Sequence, residues 1–289
     1  MTDSKLFRPN EYFRPTEVKE AIGILQQFNG KSAILAGGTD LLAKKPSGVE
    51  CLVDITRLPL KYIEVGGNDL RIGALTTLRV LEGSKELNDE PYNIIPETVH
   101  QMGTFLSKNI ATIGGNICSS VPSADMPPSL IALSAKVSVH GVGGKRDIPL
   151  EDFFTGPKSN VLKNDEILLE VSIPKQSDET KAVFLKKGRT KEDIALVNAA
   201  CALMAKNGVC EDARIVLGAV APTPLRLKKA EKLLVGKKLD INLIEKAATI
   251  SSEETKPISD IRSSKSYRQH MAKILVKRAL EKIMKKFRE

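Results

Sequence analysis

The stretch AILAGGTDLL, residues 33–42, carries an apolar run straight into two glycines, a hydroxyl and a carboxylate before the leucines return. Together with the residues just before it, KSAILAGG predicts a short buried strand that ends in a glycine turn. Glycine permits positive φ and a close approach of the backbone, so consecutive N–H groups of such a turn can point at one anion. Taken alone, the stretch also fits a plain surface turn, which is the commoner use of paired glycines.

A second stretch of the same design, ATIGGN at residues 111–116, lies in the loop-rich segment ATIGGNICSSVPSADMPPS. In both stretches a Gly-Gly pair follows apolar residues, and Thr39, Thr112 and Asn116 can add side-chain donors. Two such loops that converge would hold both phosphates of a dinucleotide without a lysine. Neither stretch matches G-x-G-x-x-G or G-x-x-x-x-G-K-S/T, which disfavours a classical nicotinamide site or a P-loop.

Asp125 follows the second glycine stretch in VPSADMPPSLIAL, a segment braced by three prolines. Two hypotheses fit this carboxylate. It can accept hydrogen bonds from ribityl or ribose hydroxyls, or it can act as the N-cap of a helix that begins near Pro127 or Pro128.

The first half of the chain alternates helix and strand patterns. TEVKEAIGILQQF (16–28) has helical apolar spacing with Thr16 placed as its N-cap. Strand patterns follow at 50–58, and residues 62–83 predict a hairpin and then a helix that begins near Thr76. The stretch GVGG (141–144) predicts another hairpin turn, and the polar segment after Pro174 predicts a domain boundary.

The second half, from residue 176, has strands first and helices after them. The Asn-Gly pair at 207–208 marks a hairpin, and the C-terminal helix carries Val276, Leu280, Ile283 and Phe287 on one stripe. This order predicts an α+β domain whose sheet is covered on one face.

Composition excludes several classes of function. The net charge of +9 and the pI of about 9.3 invite a nucleic-acid hypothesis, but aromatic residues make up only 4% and tryptophan is absent, so a base-stacking surface is poorly supplied. Much of the basic excess lies between Arg262 and Arg288, which predicts a solvated helix face or a docking surface for an acidic partner. We therefore expect no nucleic-acid binding.

Four scattered cysteines and three distant histidines lack the spacing of a metal site, so we expect no metal on this chain. Any redox work then requires a bound organic cofactor. No apolar run approaches a membrane span, and the N-terminal segment MTDSKLFRPNEYFRPT lacks a signal-peptide core. The expected location is the cytoplasm.

Taken together, these stretches resemble the FAD-binding medium subunits of the molybdenum hydroxylases, which include xanthine, nicotinate and aerobic carbon monoxide dehydrogenases. The matching segments follow the family's order: AGGTDLL, LVDI, IGALTTLR, ATIGGNIC, PSADMPPSLIALSAKV, FFTGP, DEILLEVSIP, KKGRTKEDIALV, RIVLGAVAPTPLRLKKAE and ISDIRSSKSYRQHMAKILVKRAL. The resemblance implies an α+β fold: a vanillyl-alcohol-oxidase type FAD-binding domain of two α/β subdomains (about 1–58 and 59–174), followed by an α+β C-terminal domain at 175–289.

The resemblance also implies roles in cofactor binding. The first glycine stretch would wrap the FAD pyrophosphate, the second would close it from the other side, and Asp125 would bind near the ribityl–pyrophosphate region. Lys186 would approach the flavin or its phosphates, with Lys187 as a rival because the register is open, and Ile194 would pack on the isoalloxazine. The full implied set is Leu35, Ala36, Gly37, Gly38, Thr39, Asp40, Met102, Thr112, Ile113, Gly114, Gly115, Asn116, Asp125, Lys186 and Ile194.

No residue of this chain is expected to be a catalytic acid or base. The resemblance implies an electron-relay subunit in which FAD receives electrons from two [2Fe–2S] clusters on a small partner subunit. A large partner would carry the molybdopterin cofactor, in an assembly that is a dimer of heterotrimers. The stretch AGGTD favours hydroxylases of purines and related heterocycles. The alternatives are a flavoprotein subunit of an aerobic carbon monoxide dehydrogenase or an aldehyde oxidoreductase-like enzyme, and a stand-alone FAD oxidoreductase.

Overall fold

The computed structural model describes residues 7–190 and 192–288, so Lys191 of the KKGRTKEDIALV segment and residues 1–6 of the N-terminal segment lie outside the described residues. The helices are α1 (Val18–Phe28), α2 (Leu41–Lys44), α3 (Leu78–Gly83), α4 (Ile94–His100), α5 (Phe105–Ile110), α6 (Ile113–Cys118), α7 (Met126–Ala132), α8 (Lys228–Leu234), α9 (Ile241–Glu254) and α10 (Lys265–Lys286). The strands are β1 (Glu11–Phe13), β2 (Ser32–Leu35), β3 (Cys51–Asp54), β4 (Ile63–Val65), β5 (Asp69–Gly73), β6 (Lys136–Gly141), β7 (Gly144–Pro149), β8 (Phe154–Gly156), β9 (Ser159–Asn160), β10 (Ile167–Pro174), β11 (Thr180–Lys187), β12 (Val197–Lys206), β13 (Val209–Gly218) and β14 (Leu225–Arg226). The predicted α+β class is confirmed.

The first sheet is parallel, in the order β1-β3-β2, with α1 packed against β3. The helix buries Ala21, Ile22 and Leu25 on one stripe, as its apolar spacing predicts. Every residue of β2 is half-buried rather than buried, because β2 is an edge strand. The carboxyl ends of β2 and β3 lie at one edge of the sheet, the place where ligands bind in open parallel sheets.

The predicted N-cap of α1 is wrong by one residue. Glu17 occupies the N-cap position, and its side chain makes no capping hydrogen bond. The backbone N–H of Thr16 instead donates to the Glu20 carboxylate at 3.0 Å. A first-turn carboxylate therefore satisfies the donor that precedes the helix, as in half of a capping box.

The second sheet is antiparallel, in the order β4-β5-β10-β6-β7. The GVGG stretch closes the β6–β7 hairpin, with Gly141 opposite Gly144 and φ of 95° at Gly144, so that prediction is confirmed. Helices α3 to α7 fill the chain between β5 and β6, and α3, α4, α6 and α7 contribute to one buried core with this sheet.

The second glycine stretch is helical rather than a loop. Gly114 and Gly115 lie in the first turn of α6, and the Thr112 hydroxyl caps that helix by accepting the Gly115 N–H at 3.1 Å. A threonine followed by small residues satisfies the capping geometry of a short helix, so the glycines serve packing and not a left-handed turn.

The C-terminal sheet, in the order β11-β12-β13-β14, is covered on both faces, so the prediction of a one-sided sheet is wrong. Helices α8 and α10 pack on one face, while α7 packs on β12 and β13 from the other. Alternate residues of β12 belong to two cores. Ala200 and Ala202 lie in the core of the β4-β5-β10-β6-β7 sheet, whereas Cys201 and Leu203 lie in the core beneath α8 to α10. The predicted Asn207-Gly208 hairpin turn between β12 and β13 is confirmed, with positive φ at both residues.

No helix within the described part of the chain has the length and apolar character needed to span a membrane.

Candidate functional site

The first glycine stretch leaves β2 at the carboxyl edge of the parallel sheet and turns into α2. Gly38 has φ of 71°, which a residue with a side chain rarely adopts. A Cβ built on Gly37 would lie 1.9 Å from the carbonyl oxygen of Ile110, so only glycine fits at this contact. Within the described residues, the N–H groups of Gly37, Gly38 and Thr39 donate to no protein acceptor. The turn therefore offers consecutive free donors, the arrangement that binds an anion.

The second glycine stretch faces the first, but several of its backbone amides already have hydrogen-bond acceptors within the protein. The N–H groups of Ile113 and Gly114 already donate to backbone carbonyls of the β5–α3 connection, at 3.0 and 2.9 Å. A Cβ on Gly114 would lie 2.8 Å from the Ala74 side chain. Because these two amides are occupied, they cannot point at an anion, whereas the amides of Gly37 to Thr39 have no acceptor among the described residues.

A cleft of about 410 Å³, which we call the glycine cleft, lies between the two stretches. Its lining consists of Ile34, Ala36, Gly37, Gly38, Thr39, Asp40, Leu41, Lys44, Pro46, Ile55, Ala74, Leu75, Ala111, Thr112, Gly114, Gly115, Asn116, Cys118, Ser119, Leu162, Ile167 and Leu168. The walls are mainly apolar with a few polar groups, as in most small-molecule sites. The Asn116 Oδ1 atom is buried without a hydrogen-bond partner among the described residues. A bound group with a donor would satisfy it.

Comparison with known proteins identifies the family of the chain and its cofactor. Residues 6–176 match the family model described as the FAD binding domain in molybdopterin dehydrogenase, and residues 182–283 match the CO dehydrogenase flavoprotein C-terminal domain. The chain belongs to this FAD-binding family. It is an oxidoreductase subunit with an FAD-binding domain.

The relatives span several dehydrogenases at similar identity. The chain is 31% identical to the glyceraldehyde dehydrogenase medium chain of Sulfolobus acidocaldarius over 94% of this chain and 97% of that one. It is 30% identical to the xanthine dehydrogenase FAD-binding subunit of Escherichia coli O157:H7, over 93% and 94% of the two chains. A solved carbon monoxide dehydrogenase from Hydrogenophaga pseudoflava superimposes with a TM-score of 0.92 at 31% identity, covering 96% of this chain and 97% of that one.

The residues of the glycine cleft fit FAD. Its pyrophosphate needs several donors close to the backbone, and the free amides of Gly37 to Thr39 supply them. The orphaned Oδ1 of Asn116 fits a hydroxyl or amine donor of the dinucleotide.

Several residues of the glycine cleft are missed by sequence reasoning. Lys44 lines the cleft, and its Nζ lies 3.5 Å from the Asp40 carboxylate. The spacing of four residues between them was the available signal, although the two glycine stretches were expected to hold both phosphates without a lysine. Cys118 also lines the cleft, and burial raises the pKa of its thiol to about 12, so it remains a neutral thiol at physiological pH.

Asp125 and Lys186 meet away from the cleft lining, in a buried ion pair between α7 and β11. The Lys186 ammonium lies 2.9 Å from Asp125 Oδ2, and the two side chains are 4% and 8% exposed. Asn198 donates to the other carboxylate oxygen at 2.7 Å, and Lys186 also donates to the Gln101 carbonyl at 2.8 Å. Burial raises the pKa of Asp125, although Lys186 and Asn198 act in the opposite direction. Asp125 occupies the N-cap position of α7, but its side chain makes no capping bond.

The fifteen residues implied by the resemblance divide between the glycine cleft and its surroundings. Nine of them line the cleft: Ala36, Gly37, Gly38, Thr39, Asp40, Thr112, Gly114, Gly115 and Asn116. Six stand outside the lining formed by the described residues: Leu35, Met102, Ile113, Asp125, Lys186 and Ile194. Met102 and Ile113 are core residues, whereas Ile194 is 53% exposed. Of the two rival lysines, Lys187 is exposed and Lys186 faces Asp125.

Proposed function

We propose that this chain is the electron-relay subunit of a multi-subunit molybdenum hydroxylase. Bound FAD would receive electrons from [2Fe–2S] clusters of a small partner subunit and pass them to an external acceptor. A large partner would hold the molybdopterin cofactor and oxidise the substrate, in an assembly of two heterotrimers. The observation that carries the proposal is the glycine cleft, with its free amides, in a chain whose two parts both match flavoprotein families.

The chain's own residues bind and orient in this mechanism. FAD, when bound, supplies the exchange between one-electron and two-electron carriers. The amides of Gly37 to Thr39 would fix the pyrophosphate, while Ile34, Ile55 and Leu168 exclude water from the cleft. Hydroxylation of the substrate would need no acid or base from this chain.

The exposed surface of α5 supports the presence of a partner subunit. Phe105, Leu106 and Ile110 are 58%, 76% and 54% exposed, and Arg79 lies over the Phe105 ring at 5.0 Å. Clustered exposed apolar side chains are typical of a protein interface. Ile110 also touches Gly37, so this surface borders the FAD cleft.

Roles for the residues outside the cleft lining remain part of the proposal. Lys186 contacts Gln101, and Met102 and then α5 follow Gln101 in the chain. Ile110, the last residue of α5, touches the first glycine stretch at Gly37. This continuity supports a flavin end of the site near Asp125, Lys186, Met102 and Ile194.

Flavin retention by the purified full-length chain tests the proposal. Wild-type protein should be yellow and release about one FAD per chain on denaturation. Gly37→Ala should lose most of this FAD because the new methyl group meets the Ile110 carbonyl. The matched control is Gly23→Ala, whose Cβ meets nothing within 4 Å, and it should keep its FAD. Equal FAD content in wild type and Gly37→Ala would refute the role of this turn.

A stand-alone FAD oxidoreductase is the alternative function, and identities of 30–32% to several dehydrogenases leave the substrate open. Affinity purification of the tagged chain from its native host should bring down two further subunits with iron and molybdenum. Full substrate turnover by the chain alone would contradict the relay proposal. The cytoplasm stays the proposed location, since all four cysteines are free thiols.

A further inference from the structure

A groove of about 400 Å³ lies between the C-terminal helix and the end of β11, outside the glycine cleft. Its polar lining consists of Gln101, Lys186, Arg278, Glu281, Lys282 and Lys285. We call it the basic groove. Nothing in the mechanism above uses the three cations of α10 that line it.

Of the four cations that line the basic groove, Lys186 is paired with Asp125, whereas the three cations of α10 form no ion pair among the described residues. Arg278, Lys282 and Lys285 share one face of α10 and are exposed, and within the described residues no carboxylate lies within 4 Å of their charged nitrogens. Glu281 is the carboxylate of the lining, and Glu97 of α4 interacts with Lys282 only at longer range. A strip of cations without ion pairs attracts a negatively charged partner and accelerates its encounter.

The basic groove lies at the opposite end of α5 from the glycine cleft. Lys186 in the groove bonds to the Gln101 carbonyl, three residues before the Thr104 cap of α5. The other end of α5 carries the Ile110 carbonyl that touches Gly37. A helix of six residues spans roughly 9 Å, so a partner in the groove sits close to one end of the proposed flavin site.

We propose that the basic groove is the docking site of an acidic one-electron carrier protein that takes electrons from the FAD of this chain. The inference rests on the proposed function. Each bound FAD in its reduced anionic form, FADH⁻, would give up two electrons and release one proton to solvent, and two oxidised carrier molecules would each gain one electron. The cations are exposed on an open helix face and carry long flexible side chains. This favours a transient, electrostatically steered protein contact over a small anion, which needs enclosing donors.

Binding of a defined acidic carrier tests the proposal. The probe is fluorescently labelled, oxidised plant-type ferredoxin, an acidic [2Fe–2S] protein, titrated with the FAD-loaded full chain by anisotropy. Measurements at about 20 mM and about 200 mM salt separate screened from unscreened attraction. The test variant is the double charge reversal Lys282→Glu with Lys285→Glu. Its matched control is Lys232→Glu with Lys237→Glu, which makes the same change of net charge at exposed lysines near α8.

We expect affinity in the test variant to fall at least about tenfold at low salt and to lose most of its salt dependence, while the control changes less than about twofold. Carbodiimide cross-links should join ferredoxin carboxylates to Lys282 or Lys285 in the wild type. Three outcomes would overturn the proposal: failure of the wild type to bind ferredoxin, an equal loss of affinity for ferredoxin in the two double variants, or tighter binding of basic cytochrome c than of ferredoxin. Loss of NADH binding in the test variant with unchanged ferredoxin binding would overturn it in favour of a small-anion site. FAD absorbance is read for every sample. A wild type that holds no FAD would contradict the proposed function. If the FAD-loaded test variant binds ferredoxin as tightly as the FAD-loaded wild type, only the docking role of the basic groove is contradicted.

Discussion

Two single residues of the glycine cleft contribute to the proposed FAD site in opposite ways. Gly37 is required because it has no side chain: any Cβ at this position would clash with the Ile110 carbonyl oxygen. Asn116 works by an unsatisfied group, since its Oδ1 is buried without a partner among the described residues. Such an atom costs the unliganded protein about 1–3 kcal/mol, and a donor on the ligand recovers that cost.

Substitution of Asn116 separates stability from binding. Asn116→Leu removes the orphaned oxygen and keeps the number and branching of side-chain heavy atoms, so the FAD-free protein should unfold at the same or a higher urea concentration than wild type. FAD affinity should fall about tenfold, the worth of one hydrogen bond of roughly 1.4 kcal/mol. Urea unfolding of the FAD-free chain and a flavin fluorescence titration measure the two effects. Weaker folding with unchanged affinity would show that Asn116 serves the fold and not the ligand.

Among the secondary-structure elements, the contact of α7 with β11 joins the two halves of the chain. Asp125 at the start of α7 and Lys186 near the end of β11 are both almost fully buried, and Asn198 of the neighbouring strand completes the carboxylate's bonds. A buried pair of this kind gains little over an apolar contact, but loss of one partner leaves an uncompensated charge. The contact therefore specifies how α7 sits on the C-terminal sheet.

Removal of the lysine should destabilise the chain in a pH-dependent way. Lys186→Met should lower the free energy of unfolding by roughly 3–5 kcal/mol at neutral pH, whereas the exposed neighbour control Lys187→Met should have little effect. Burial raises the pKa of Asp125 above its ordinary value of 3.8. A carboxyl with a raised folded pKa favours the folded state below its ordinary pKa and loses that contribution as pH rises through the raised value. The defect should therefore be smallest in acid and grow towards neutral pH in urea unfolding. A pH-independent defect would contradict a charge at Asp125.

In the whole molecule, the C-terminal sheet is shared between two hydrophobic cores. Phe184 and Val216 face the core built by the β4-β5-β10-β6-β7 sheet and helices α3, α4, α6 and α7, while Val183 and Ile215 face α8 to α10. A sheet buried on both faces couples the elements on either side of it. Cooperative unfolding of the two parts follows from this arrangement.

Calorimetry of the FAD-free full chain should show one unfolding transition. A fragment ending at residue 176 should lack cooperative unfolding, because the α7 face that packs on β12 and β13 becomes exposed. Phe184→Ala should lower the single melting temperature without splitting the transition, since it costs about 3–5 kcal/mol across the shared core. Two separated transitions in the wild type would contradict the coupling.

The sequence by itself determined the features that depend on neighbouring residues. The Asn207-Gly208 and GVGG turns are set by the few residues that adopt positive φ, and the α1 stripe follows from helical periodicity. The ordered series of family motifs likewise sufficed for the α+β class and for FAD, because each motif is a short local signature.

Only the tertiary structure decided the features that depend on distant partners. Whether Lys186 or Lys187 turns inward follows from the register of β11 with Asn198 of β12, and a shift by one residue would exchange them. The near-continuous apolar run of β12 was a signal of burial on both faces, but the covering helix α7 lies some 70 residues earlier in the chain. In the second glycine stretch the amides of Ile113 and Gly114 are occupied by the β5–α3 connection, whereas those of Gly37 to Thr39 in the first find no acceptor among the described residues. Two stretches of the same design thus differ because hydrogen-bond partners are assigned by packing across the molecule and not by the residues themselves.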